Sequence, residues 1–439
     1  MAAPFRLLRT SLILFTLLIA AAPIAHADIS QEQREKTYRQ LEVFSNILSI
    51  LQENYVEEID TQQAVDGAIR GLLLTLDPHS SYLTPEEFQE LQEETSGSFS
   101  GVGIEITIKD GILTVVSPIE GTPADRAGIK ANDLIVEIEG KKTKDMTSDE
   151  AIKLLRGSRG SKVSITIQRE GENALRPVTL TRDIIPLHSV KASFLTPGFA
   201  YFRITNFQNH TTRDFKQELS SLEKKDPIRG LILDLRNNPG GLLSQAVSIS
   251  DIFLKKGAIV STRGRTEDQN MVFQAHSTND DASMPIVVLV NEGSASASEI
   301  VAGAIQDQKR GVVVGTRTFG KGSVQTIIPL PDGSGLRMTT ARYYTPNNRS
   351  IQALGIAPDV EVPAGEEVGQ EPPPDSEARR EINLDNHMQG QDEAASPASA
   401  IDPETKERLR NDPQLNTALN ILRSLEVFSS YGRMQGSRQ

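Results

Sequence analysis

Five consecutive apolar residues, Ile286 to Val290, run directly into Asn291-Glu292-Gly293-Ser294-Ala295-Ser296-Ala297-Ser298-Glu299-Ile300, where most side chains are small. A short unbroken apolar run reads as a strand buried on both faces, which occurs where helices cover both sides of a mostly parallel sheet. The small residues that follow permit a tight strand-to-helix turn, and ligands and chemistry collect at such turns. Leu231 to Leu235 repeats the pattern. Helical stretches follow the two runs at about 243–255 and 297–308, with further strands at 312–314 and 324–330. An alternating α/β core is therefore expected from Pro186 to about Glu361.

The rest of the chain divides around this core. From about Gln31 to Glu94 the pattern is helical: Leu41, Phe44, Leu48, Leu51 and Tyr55 form one stripe. Val65, Ile69, Leu72 and Leu76 form a second, ended by Asp77-Pro78. Such a pair suits a packing lobe or a dimer arm. Near Gly97 short β-branched runs and glycine turns begin, with strands at 101–108, 113–116, 134–138 and 162–169 and a helix at about 149–156 whose N-cap would be Ser148. Beyond Pro363 the composition shifts to Glu, Pro, Gln, Ser and Ala, a flexible acidic linker. A last amphipathic helix with Leu415, Leu419, Leu422 and Leu425 on one face needs a surface to dock on, in its own chain or another subunit.

The 439 residues suit about three domains. The absence of cysteine excludes disulfides, thiolate metal sites, a cysteine nucleophile and a lipoprotein anchor. A formal charge of −12 argues against a nucleic-acid binder, which needs a basic surface. Arg6 and Arg9, the apolar run Ser11 to Ala22 and the small-residue site Ala25-His26-Ala27 have the three parts of a secretory signal peptide. Cleavage would leave Asp28 first, and the exported chain is expected to be soluble. The expected organisation is a signal peptide (1–27), a helical segment for dimerisation or packing (28–96), a small mixed β domain (97–182), the α/β core (183–363), the linker (364–400) and a C-terminal helical segment (401–439).

The small-residue turn at 291–300 has what an exposed serine nucleophile requires: room for a substrate backbone, and helix N–H groups to stabilise an oxyanion. Ser298 could cap the helix, and spacing leaves Ser294 and Ser296 undecided. A base is also needed. Lys321, in Thr318-Phe319-Gly320-Lys321-Gly322-Ser323-Val324-Gln325, can serve if burial lowers its pKa. Its flanking glycines suit a side chain held close to other backbone. On an extended segment positions 321 and 325 share a face, so the Gln325 amide could orient the amine. Gly315 and Gly320-Lys321 have the spacing of a phosphate-binding loop, but Gly322 stands where that motif needs Ser or Thr and no helix follows. Ser221-Leu222-Glu223-Lys224 reads as a solvated helix face. The six histidines, His79, His188, His210 and His276 among them, belong to no metal motif, and neither a metal nor a cofactor is expected.

The stretch Ser100 to Arg169 resembles a PDZ domain. Gly101-Val102-Gly103-Ile104 stands where PDZ domains have their carboxylate-binding loop, and Gly121-Thr122-Pro123-Ala124-Asp125-Arg126-Ala127-Gly128-Ile129 with Asp133-Leu134-Ile135 is similar to their core segment. Such a loop turns successive backbone N–H groups onto a terminal carboxylate while the tail adds as a strand. Ala151, Leu154 and Leu155 would line the helix wall of that groove.

With a PDZ module, a serine turn and a glycine-flanked lysine in that order, the chain resembles the carboxyl-terminal processing (tail-specific) proteases. Gly71 to Tyr82 and Leu233-Asp234-Leu235-Arg236-Asn237-Asn238-Pro239-Gly240-Gly241 are also family-like, so the resemblance spans about residues 40 to 360. It implies a multidomain α/β protein: a PDZ domain plus a crotonase/ClpP-like serine protease core with helical terminal segments. It further implies Ser296 as nucleophile, Lys321 as general base, Gln325 as their assistant, and an oxyanion hole from the N–H groups of Ala297 and Gly241. Implied partners are protein substrates with apolar C-termini, an envelope adaptor, and further copies of the chain in a dimer or a ring of dimers, with a periplasmic location in a bacterium. The PDZ domain would also gate the site. A non-catalytic PDZ adaptor of the envelope and a crotonase-like acyl-CoA enzyme are the rivals.

Overall fold

The computed structural model describes residues 30–109, 111–144, 146–172, 174–276, 283–365 and 402–436. The signal-peptide segment and nearly all of the acidic linker lie outside the described residues. The chain forms two compact units, 1–71 and 72–439. In the first, Ser30 caps the helix Gln31–Asn54 through a hydrogen bond from the Gln33 N–H. No residue of that helix is buried. Leu41, Phe44, Leu51 and Tyr55 of its apolar stripe are exposed, so the periodicity marks a face left open to solvent.

The second unit is built on a six-stranded sheet in the order Val190–Thr196, Phe199–Ile204, Gly230–Asp234, Ile286–Val290, Val312–Gly315, Val360–Glu361. The first pair is antiparallel and the rest are parallel. Gly230–Asp234 and Ile286–Val290 are buried at every residue, as expected for strands covered on both faces. Leu231, Leu233, Val288 and Val290 point to one side, against the helices Thr211–Glu223, Leu243–Phe253 and Ala297–Asp307. Ile232, Val287 and Leu289 point to the other, where Leu415, Leu419 and Leu422 of the helix Pro413–Gly436 cover them. The C-terminal helix thus docks on its own chain. Arg236 ties its start to the sheet, donating to both oxygens of Asp412 at 2.8 Å and to Asp234. Leu425, read on the same face, is 41% exposed, because the helix has run past the sheet beneath it.

A second sheet carries part of the site. In it the strand Gly335–Tyr344 pairs with Ser323–Pro329, with Ser81–Leu83 and with Ala258–Gly264.

Residues 104–181 form a separate sheet in the order Ile104–Lys109, Ile112–Pro118, Leu134–Ile138, Lys162–Gln168, Arg176–Thr181, packed on the helix Ser148–Leu155 around Leu113, Val115, Ile135, Val163 and Ile165. This is the PDZ domain. The N-cap of its helix is Thr147, one residue before the expected Ser148, because Thr147 and Glu150 form a reciprocal capping box. The chain enters and leaves the domain through a two-stranded ribbon, Ser98–Gly101 against Asp183–Pro186.

Candidate active site

The loops that follow two neighbouring parallel strands, 235–242 and 291–296, are stitched together. Asn291 Oδ1 accepts from the Asn237 N–H at 2.8 Å, Asn291 Nδ2 donates to Asn237 Oδ1 at 2.8 Å, and the Ala295 N–H donates to the Asn238 carbonyl at 3.0 Å. The chain there admits only glycine at key points. A Cβ on Gly240 would lie 2.9 Å from Ser296 Cβ and 3.0 Å from the Ala297 nitrogen, and one on Gly241 would lie 2.2 Å from the Phe207 carbonyl oxygen.

The three serines of the turn separate by environment. Ser294 and Ser298 are 0% exposed. Their hydroxyls donate to backbone carbonyls, Ser294 Oγ to Leu235 at 2.8 Å and Ser298 Oγ to Asn238 at 3.0 Å. Ser296 is partly exposed and lines a cavity of about 630 Å³ shared with Gly240, Gly241, Lys321, Ser323, Gln325 and Arg337. Its backbone, at φ 52° and ψ −108°, lies in a region that side chains other than glycine rarely occupy. It sits at the N-cap of the helix Ala297–Asp307.

Lys321, Ser323, Val324, Gln325 and Ile327 line this cavity, with 321, 323, 325 and 327 on one face of an extended segment. Gly322 allows the close backbone approach: a Cβ there would meet the Gln352 nitrogen at 2.3 Å. Burial pushes the Lys321 pKa down, and the positive charge of Arg337 adds to that shift. Gln325 Nε2 donates to Thr339 Oγ1 at 2.9 Å, while its Oε1 is buried with no partner among the described residues. Of the two glycines, Gly240 has its N–H occupied by Asn238 Oδ1 at 2.9 Å. No partner for the Gly241 N–H is found among the described residues.

Glu299 joins the two halves of the site, a role that reading the sequence for nucleophile and base had missed. Its buried carboxylate accepts from the N–H groups of Ser296 (2.7 Å), Gly320 (2.7 Å) and Lys321 (2.9 Å) and from Thr318 Oγ1 (2.6 Å). Burial pushes its pKa up in spite of these donors. The signal was available as the capping box Ser-x-x-Glu at 296–299.

In the PDZ domain, Gly101, Val102, Gly103 and Ile104 line a groove of about 220 Å³ together with Ile152, Leu155 and Arg156. The strand Ile104–Lys109 is an edge strand, open to an added strand. Of the expected wall residues only Leu155 faces the groove. Ala151 is buried in the domain core and Leu154 packs on it, because the helix is turned so that Ile152 fills that place. Arg156 stacks over the Phe99 ring at 4.7 Å and pairs with Glu93 at 3.2 Å. Glu93 lies on the helix Pro85–Ser96, whose Leu91, Glu94 and Thr95 line the cavity shared by Ser296 and Lys321.

A serine at a strand-to-helix turn and a pKa-lowered lysine on one cavity, beside a PDZ groove, describe a serine peptidase with a peptide-binding module. Family models agree: residues 198–362 match peptidase family S41, 114–169 a PDZ domain, and 18–87 the activating protease CtpB N-terminal domain. The chain is 41% identical to the carboxy-terminal-processing protease of Bartonella bacilliformis, over 92% of this chain and 93% of that protein. It is 38% identical to the carboxy-terminal processing protease CtpA of Bacillus subtilis, over 71% and 66%. Among solved structures the photosystem II D1 C-terminal processing protease has 33% identity, with 76% of this chain and 94% of that one covered, at a TM-score of 0.43. The chain belongs to the carboxyl-terminal processing proteases of family S41. The two rival readings, a non-catalytic adaptor and an acyl-CoA enzyme, are set aside by this membership.

Proposed function

We propose that this protease is exported, holds the C-terminal tail of a protein substrate in its PDZ groove, and cuts peptide bonds through an acyl-enzyme on Ser296. Lys321 takes the Ser296 hydroxyl proton as the oxygen attacks the scissile carbonyl. The N–H groups of Ala297 and Gly241 hold the oxyanion. The Lys321 ammonium then returns the proton to the departing amine, and water, deprotonated by the same lysine, releases the acyl group. Gln325 orients the amine without titrating. One observation carries this reading: of the three serines in the turn, the two flanking ones are buried and donate to carbonyls, and Ser296 shares its cavity with the lysine. Ser296→Ala should abolish cleavage of a protein with an apolar C-terminus and leave tail-peptide binding intact in a titration. Cleavage that survives the substitution refutes the assignment.

The PDZ domain also gates the site in this proposal, since Arg156 at the groove grips the helix that lines the catalytic cavity. The open apolar stripe of the helix Gln31–Asn54 supports self-association into dimers or rings of dimers, and an envelope adaptor is a further expected partner. Export to a bacterial periplasm rests on the basic, apolar and small-residue segments of residues 1–27. No helix among the described residues is long and apolar enough to cross a membrane.

A further inference from the structure

We infer that Arg263 and Arg342, with Arg265 beside them, form a subsite that holds an acidic stretch of the protein substrate next to the bond being cut. The inference rests on the Ser296–Lys321 reading and adds a specificity determinant to it.

Arg263 and Arg342 are directly opposed residues of two antiparallel strands, Ala258–Gly264 and Gly335–Tyr344. Side chains in that relation share a face and lie close together, and two like charges placed so are destabilising. The next pair along, Thr262 and Tyr343, is buried on the other face, and the arginines are exposed. Arg265 follows the end of its strand, and the three line a cleft of about 380 Å³. None of them pairs with a carboxylate among the described residues, although the chain has a formal charge of −12. Glu267 and Asp268, in the short helix that follows, are exposed and turned to no arginine. Arg263 is nonetheless held in place: its guanidinium lies over the Tyr344 ring at 4.4 Å and donates to Asn348 Oδ1. An oriented pair of like charges kept without a counter-charge has the chemistry of a site for an anionic partner.

The place of the cleft identifies that partner. Arg342 is also the cross-strand partner of Ser323, which lines the cavity shared by Ser296 and Lys321. Thr339 lines the arginine cleft and accepts from Gln325 Nε2 at 2.9 Å, and Gln325 lines the Ser296 cavity. The two spaces therefore meet along the strands Ser323–Pro329 and Gly335–Tyr344. By strand geometry Arg342 is one strand across and two residues along from Lys321, roughly 8 Å between Cα atoms. An extended peptide advances about 3.3 Å per residue, so a substrate side chain a few positions from the scissile bond reaches the arginines. Arg337, on the wall of the Ser296 cavity, continues the positive charge toward the reacting groups. The partner is thus the substrate chain, through Asp or Glu carboxylates that the forked guanidinium donors fit. An anionic membrane surface also attracts arginines, but it gives no reason for the cleft to adjoin the nucleophile.

The test uses the full-length protease and peptides that share one apolar C-terminal tail. Each carries a pair of glutamates, moved stepwise along the sequence, and is compared with its glutamine counterpart; cuts are located by mass spectrometry. With the pair near the cut, the glutamate peptide should have a kcat/KM about 5- to 10-fold above its counterpart, through KM, and the advantage should shrink as salt is raised. Arg342→Glu turns the like-charged pair into an opposite-charged one. It should abolish or invert the preference, keep wild-type kcat on the glutamine peptides, and keep or raise the urea midpoint. Anisotropy titrations of the same peptides on Ser296→Ala read the preference without cleavage. The inference is overturned if no placement of the glutamates is preferred, if the preference survives Arg342→Glu, or if Arg342→Glu loses the glutamine peptides as well. Binding to phosphatidylglycerol vesicles that Arg342→Glu loses, with no difference between the peptides, assigns the cleft to a membrane surface and overturns it too. Cleavage retained by Ser296→Ala overturns the Ser–Lys reading instead, and the titrations stand without it.

Discussion

At the scale of single residues the site depends on two charges treated in opposite ways. Glu299 is buried but meets four donors; Lys321 is half-buried beside another cation, Arg337. In the proposed mechanism Lys321 accepts a proton, and this arrangement suits that role, since both burial and a like charge favour the neutral amine. Arg337→Gln removes the second contribution. The Lys321 pKa then rises, a smaller fraction of the lysine is neutral at a given pH, and the acid limb of kcat/KM should move to higher pH. A pH–rate profile against a short peptide checks this, and a limb that stays in place shows that burial alone sets the lysine. Much of this was legible beforehand. Ser296, Lys321 and Gln325 lie in segments whose small residues and glycines report a crowded turn, and Glu299 could have been found as the fourth residue of a capping box. Arg337 and Thr339 could not. They sit on an ordinary strand, and only the pairing register with Ser323–Pro329 and Ser81–Leu83 brings them to the site.

Among the elements, periodicity gave the type of the long segments, hid the strand Ser81–Leu83 inside the stretch read as helical, and failed where rotation about a helix axis matters. The PDZ helix presents Ile152 and Leu155 to its groove, whereas Ala151 and Leu154 were expected beside Leu155. Its cap is Thr147, not Ser148, since the Thr-x-x-Glu box satisfies two helix N–H groups at once. Neither error changes the fold, because a small rotation or a one-residue shift keeps the same face inward. The C-terminal helix shows the complementary limit: its leucine stripe continues to Leu425 after the surface beneath it has ended. The docked part should carry most of the binding. Leu419 is fully buried against the sheet, so Leu419→Ala should cost about 2–5 kcal/mol, read as a lower urea midpoint. Leu425→Ala in the same experiment should change little, and equal effects would mean that the helix docks elsewhere.

For the whole molecule, the PDZ domain is inserted at a point where the core chain is nearly continuous without it. Gly101 and Asp183 are paired at the end of the two-stranded ribbon, so an Asn-Gly turn, which suits a tight hairpin, can replace residues 102–182. The shortened protease should fold, cleave a tail-bearing protein and its tail-blocked form at the same rate, and lose any activation by added tail peptide. Persistent discrimination between the two substrates would remove the PDZ domain from the proposed gate. A different property of the whole chain comes from its far sheet face. Leu195, Phe199, Ile232, Val287, Leu289 and Val314 are covered by leucines that come later in the chain than every one of them. During synthesis, the sheet that carries Ser296 can be assembled on one side only, and its other side stays bare until residues 415–422 arrive. Bare apolar surface of that kind invites chaperones and aggregation. The order of the sequence therefore delays a finished protease core until nearly the whole chain has emerged, a safeguard for an enzyme that cuts other proteins.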